Sequence, residues 1–242
     1  MVDTQEFSQN IWKTASFILI GLIVGYIIGR FELATIEFHN DSNIKKTVVE
    51  SGNAQTEQKE QENVLEISAD DDDFLGSDDA PILIVEFSEY QCPFCAKMYK
   101  EIYPNLKKDF INTGKVKYVY RDFPLTIHPN AINAAMAAEC AGDQGKYFAM
   151  HDMLFENQTT WAKEENPKAN FDEYAKNIGL NAKTFTECYE SEKYAEEILK
   201  DKAEGISYGV QSTPTLFING KLIRGVPNSY ANLKSIIEGE LS

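Results

Sequence analysis

Basic residues are scarce: 23 Lys and Arg stand against 38 Asp and Glu, a net charge of −15 over 242 residues. That deficit argues against nucleic-acid binding, which needs a basic surface. It also works against attraction to anionic lipid, so any membrane tie must be hydrophobic. Cysteine is limited to four residues and histidine to three. Cys140 and Cys188 stand far apart, and His39, His128 and His151 form no HxxxH pattern. The second Cys/His pair that a zinc site needs at short spacing is missing, and no metal or cofactor is expected. The acidic run Asp70-Asp71-Asp72-Asp73 lacks the spacing and terminal Glu of an EF-hand loop, so it reads as solvated charge.

Long apolar stretches are missing too, with one exception. Ile11 to Phe31 holds a nearly unbroken run flanked by Lys13 and Arg30, long enough to cross a bilayer. It ends in Gly29-Arg30-Phe31-Glu32, without the small-residue site of a cleavable signal, so an uncleaved anchor over residues 1–31 is expected rather than a signal peptide. Gly21, Gly25 and Gly29 share one helical face at the small-xxx-small spacing that permits close helix pairing, which suggests a homodimer in the membrane. Residues 32–79 are polar and acidic with no sustained apolar period, the composition of a flexible tether. Residues 80–242 then carry the folded domain, and 43% apolar content suffices for one core.

Within that domain, Ile82 to Phe87 is a short apolar, β-branched run suited to a buried central strand. Helical spacing begins at Ala96, so Cys92-Pro93-Phe94-Cys95 falls at a helix N-terminus. Unpaired N–H groups and a partial positive charge at a helix start stabilise an anion, so Cys92 is expected to be partly thiolate. Pro93 fits the first turn, where its missing N–H is no loss. The two sulfurs are close to one turn apart and can close a disulfide, with Cys92 as the exposed attacking thiol and Cys95 as the inner resolving thiol. Half of a zinc site or an inert structural disulfide are the bland readings of the same motif. The strand-then-helix context favours redox chemistry.

Glu86 interrupts the apolar strand, and burying an acid there is costly without a purpose. A carboxyl beneath the inner cysteine could pass a proton as Cys95 attacks and leaves. The alternative is that Glu86 turns to a wet face of the strand. Far downstream, Thr213-Pro214 precedes the strand-like Thr215 to Ile218, and a proline there belongs at a strand start or in a tight turn, where its peptide bond can be cis. Asn219-Gly220 then signals a type I′ hairpin turn into Lys221 to Gly225.

The stretches Ile84-Val85-Glu86-Phe87-Ser88-Glu89-Tyr90-Gln91-Cys92-Pro93-Phe94-Cys95, Val119-Tyr120-Arg121-Asp122-Phe123-Pro124-Leu125 and Gly209-Val210-Gln211-Ser212-Thr213-Pro214-Thr215 resemble a DsbA-like thiol-disulfide oxidoreductase. The resemblance covers about two-thirds of the chain and implies an α/β, thioredoxin-like fold with a helical insertion, here about residues 126–208, behind one N-terminal transmembrane helix. It implies that Pro214 is cis and packs against the motif, that Thr213 offers backbone atoms to an extended substrate, and that Glu86 is the family's buried acid. It also implies a quinone-linked membrane protein as the redox partner. Phe94 departs from the strongly oxidising relatives, which carry histidine there.

Helices are expected over Ala131–Ala141, Lys146–Glu156, Phe171–Ile178, Ala182–Glu190, Tyr194–Ser207 and Tyr230–Leu241, and Pro104 should kink the motif helix. Cys140 and Cys188 each sit on a predicted buried helical face, either as a disulfide pinning the inserted helices or as two buried thiols. The function these readings support is thiol-disulfide exchange on protein thiols outside the cytoplasm, most simply disulfide formation. A disulfide isomerase or reductase and a non-catalytic peptide-binding module are the alternatives.

Overall fold

A computed structural model describes residues 65–69 and 72–242. The expected anchor, the glycines proposed to pair it and most of the expected tether lie outside the described residues. Among the described residues, no helix is long and apolar enough to cross a membrane.

Five strands form one mixed sheet in the order β1-β3-β2-β4-β5. They are β1 (Phe74–Leu75), β2 (Ile82–Ser88), β3 (Val116–Asp122), β4 (Thr215–Ile218) and β5 (Lys221–Arg224). β2 and β3 run parallel, with Ile84 opposite Tyr118 and Glu86 opposite Tyr120; β1 joins β3, β4 joins β2 and β5 joins β4, all antiparallel. β2 is therefore central, which explains its run of β-branched residues. Asn219 and Gly220 both adopt positive φ, 48° and 78°, as the expected hairpin turn between β4 and β5 requires.

The helices are α1 (Pro93–Glu101), α2 (Tyr103–Leu106), α3 (Ala131–Gly142), α4 (Tyr147–Glu156), α5 (Gln158–Trp161), α6 (Lys168–Asn177), α7 (Ala182–Glu190), α8 (Ala195–Ser207) and α9 (Tyr230–Glu240). Pro104 breaks the motif helix as expected: α1 ends at Glu101, α2 restarts, and one π-helical turn follows over Lys107–Ile111. The alternation of β2 divides the core. Ile82 and Ile84 face the larger cluster beneath α1, α2 and the inserted helices, while Val85 and Phe87 face a smaller one with Val119, Phe123 and Phe217. α8 lies against that second face so closely that a Cβ on Gly205 would sit 2.8 Å from the Phe87 ring. Glycine is required there by proximity.

Two expectations need correction. The chain from Leu65 onward is not tether: Leu65 N–H bonds Gly220 O at 3.1 Å, Ile67 is buried in the smaller cluster, and Phe74–Leu75 extends the sheet. A strand of two residues is too short to leave a periodic signature. Nor is the acidic run wholly solvated. Asp72 pairs with Arg121, which is only 1% exposed and also meets Glu204 at 3.1 Å. A buried guanidinium demands such partners, and the sequence separation of 49 hides this one.

Cys140 and Cys188 are bonded, with Cα atoms 5.8 Å apart, and tie α3 to α7.

Candidate active site

The strand, the turn and the helix that follow one another at residues 82–101 deliver two sulfurs to one end of the sheet. Cys92 occupies the N-cap position of α1 in extended conformation (φ −68°, ψ 125°), and Pro93 opens the helix. Both cysteines are free thiols. Cys95 is fully buried, as expected for an inner thiol, but Cys92 is only 2% exposed rather than open. The reason is the loop ahead of β4: the Thr213-Pro214 peptide is cis, and the Thr213 carbonyl oxygen lies 3.7 Å from the Cys92 sulfur. Phe94, in contrast, is 63% exposed.

The two sulfurs are electrostatically unequal. A hydrogen bond from the Cys95 thiol, helped by the backbone N–H groups of Cys95 and Phe94, pulls the Cys92 thiol down to about 5 from its ordinary 9.0. Burial, reinforced by the neighbouring Cys92 sulfur, pushes Cys95 well above that value. The first sulfur is thus an anion at neutral pH while the second keeps its proton.

Glu86 faces the larger core on the side of Ile84, so neither face of its strand is wet. Tyr118 Oη donates to Glu86 Oε2 at 2.8 Å, yet desolvation dominates and raises the carboxyl to about 7. Its charge acts in turn on Cys95. The fold therefore gathers Glu86, Cys92, Pro93, Phe94, Cys95, Thr213 and Pro214, drawn from three separate stretches, around one end of β2. Cys140 and Cys188 belong to the inserted helices.

Several site residues escape a sequence reading. Gln91 donates to Ala162 O at 2.6 Å and accepts from Asn130 N–H at 2.7 Å. Gln158 donates to Tyr90 O and Cys92 O at 2.7 and 3.0 Å. These amides bind the helical insertion to the turn that carries Cys92. Glu89, 1% exposed, contacts His128 Nδ1 through Oε1 and accepts the Gln91 N–H through Oε2 at 2.7 Å. A polar residue in a loop gives no periodic signal, though an acid and a His-Pro pair close to the quoted motifs were visible. Among the described residues no group of three or more His, Cys, Asp or Glu side chains is arranged to hold a metal ion.

Comparison with known proteins agrees with this geometry. The family model described as Thioredoxin matches residues 68–239. Disulfide bond formation protein D of Bacillus subtilis is 32% identical over 171 residues, covering 69% of this chain and 76% of that protein. The crystal structure of oxidised BdbD from Bacillus subtilis superposes with a TM-score of 0.64 at 31% identity, over 70% of this chain and 92% of that one. Wolbachia pipientis alpha-DsbA1 gives a TM-score of 0.63 at 26% identity, over 70% of this chain and 90% of that one. The chain spans only 54% of its relative from Rickettsia felis and 24% of a Na(+)/H(+) antiporter of Salinispora tropica. The chain belongs to the thioredoxin family, within its DsbA-like thiol-disulfide oxidoreductases.

Proposed function

We propose that this protein forms disulfides in client proteins outside the cytoplasm, with Cys92 as the sulfur that exchanges with clients and Cys95 as the resolving sulfur. The observation that carries the reading is the inequality of the pair: Cys92 drawn down to about 5 beside a Cys95 pushed well above its ordinary value. An enzyme whose reduced form holds a stabilised thiolate gives up its disulfide readily.

In the oxidising cycle a client thiolate attacks Cys92 Sγ, the Cys92–Cys95 bond breaks, and Cys95 departs as a thiolate. Cys95 then takes a proton, for which Glu86, with its carboxyl raised to about 7, is the suited donor. A second client thiolate attacks the client sulfur of the mixed disulfide and Cys92 leaves as the anion. Two electrons now rest on the enzyme dithiol. A membrane protein that passes them to quinone would restore the disulfide. Thr213 and Pro214 flank Cys92 and would hold an extended client segment alongside it.

The same proposal places residues 1–31 in the membrane as a single-pass anchor, holds the domain off the surface through the polar stretch that follows, and pairs two anchors through Gly21, Gly25 and Gly29. Cross-linking in membranes should give a dimer that Gly25→Leu abolishes; an unchanged monomer would dismiss the pairing.

Equilibration of the purified protein with glutathione buffers tests the direction. A potential well above the thioredoxin value of about −270 mV supports the oxidase. A value near it would favour a reductase or isomerase. Client binding that survives Cys92→Ser with no exchange chemistry to lose would select the binding module.

A further inference from the structure

The turn that delivers Cys92 to its helix begins at a second buried acid that the cycle above does not use. Glu89 lies three positions before Cys92, and the Cys92 N–H bonds its main-chain carbonyl at 3.4 Å. Its side chain is enclosed, so solvent cannot offset a charge there. What meets it is His128, from the connection between β3 and α3, whose side chain is 19% exposed. That ring runs from solvent to a carboxyl that solvent does not reach. His128 is itself fixed in a turn: its N–H bonds Leu125 O at 3.0 Å and its carbonyl accepts Ala131 N–H at 3.2 Å.

We propose that Glu89 and His128 are a positioning pair for the Cys92 sulfur, the His128 ring donating from Nδ1 to the buried carboxylate and so offsetting its charge while that sulfur is an anion. The inference rests on the reading of Cys92 as the exchanging sulfur. Its logic is electrostatic. A bare carboxylate next to the mouth of α1 opposes the thiolate the helix is built to hold, and each anion makes the other harder to form. Burial, opposed by His128 and the Gln91 N–H, raises the Glu89 carboxyl to about 7. The charged neighbours acting on Glu89 are His128 from the β3–α3 connection and the Cys92 sulfur at the mouth of α1, and Glu89 in turn acts on Asp122 at the end of β3. His128 is therefore the group that cancels the carboxylate. When Cys92 enters a disulfide its charge vanishes, and the carboxylate no longer has an anion to oppose. The Phe94 side chain, which brings neither charge nor a hydrogen bond to the thiolate, leaves this pair as a source of tuning on that side.

The test is the equilibrium between the full chain and glutathione, read by trapping the Cys92–Cys95 pair at pH 5 and pH 8. At pH 8, His128→Gln should lower the oxidising equilibrium constant about tenfold, the effect of one uncompensated like charge at close range. Glu89→Gln should leave it at or above the wild-type value, and the double variant should follow Glu89→Gln, because without the carboxylate there is nothing for His128 to offset. At pH 5, where the carboxyl keeps its own proton, the variants should converge. His128→Asn supplies the same comparison should the Gln variant not fold. Equal constants at pH 8, or both single variants moving downward together as a merely structural lesion would make them, overturn the proposal. A wild-type pair that does not exchange with glutathione at all overturns the reading of Cys92 beneath it, a distinct failure.

Discussion

At the scale of the residue, the site gives two identical side chains opposite acidities by their surroundings alone. Cys92 borrows donors from the first turn of α1, whereas Cys95 is enclosed by protein with the Glu86 carboxyl acting on it. Cys92→Ser should abolish disulfide formation in a reduced client, and Cys95→Ser should accumulate mixed disulfides on Cys92, as non-reducing gels would show. Glu86→Gln should slow the Cys95 proton step by about 10²-fold without changing client binding, measured in single-turnover oxidation. Linkage gives a further outcome. Cys92 is lower in the folded state than in the unfolded chain, so it adds stability that builds as pH rises from 5 toward 9 and is lost as pH falls through 5. With Cys140–Cys188 kept bonded, the active pair's reduced form should melt above its oxidised form at pH 7, and the gap should narrow toward pH 5.

At the scale of the element, close approach and long-range partners set the energetics. Gly205→Ala pushes a methyl into the rings of Phe87 and Phe123 and should destabilise by about 1–3 kcal/mol. Asp72→Asn leaves a buried guanidinium short of a charge and should cost about 3 kcal/mol, read by urea unfolding. Replacing both Cys140 and Cys188 by Ala opens a bridge of sequence separation 48, worth about 4 kcal/mol on chain-entropy grounds. The same scale shows what a sequence can disclose. The run at Ile82, the motif after it, the Asn219-Gly220 turn and α7 are stated by local chemistry, because each carries a period, a cap or a turn residue of its own. α7 matches its expected limits of Ala182 and Glu190, with Asn181 capping it through Thr184 N–H at 3.1 Å. The strand β1, the short α5 and the grip of Gln91 and Gln158 on the motif turn could not be read this way. Their stability comes from partners distant in sequence, and nothing in Phe74-Leu75 or Gln158 names Val119 or Tyr90.

At the scale of the whole molecule, an acidic chain has drawn several of its acids inward. Burial raises Asp122 and Glu139, Asp201 reaches about 8, and Glu86 and Glu89 reach about 7. Each binds a proton more tightly folded than unfolded, so its contribution is complete below the unfolded value and fades as pH climbs through the folded one. The oxidised protein, in which Cys92 does not titrate, should therefore lose stability between pH 5 and pH 8, by up to about 1.4 kcal/mol per pH unit for each proton released. Chemical denaturation at the two pH values measures it, and a flat profile would show those carboxyls to be ionised throughout.

The bridge between α3 and α7 has one more implication, for how the molecule comes into being. A newborn chain carries four thiols that can join fully in three ways, and only the arrangement linking Cys140 to Cys188 leaves the adjacent pair at liberty to trade electrons. Before it can exchange disulfides with other polypeptides, each copy has to escape a mispairing of its own.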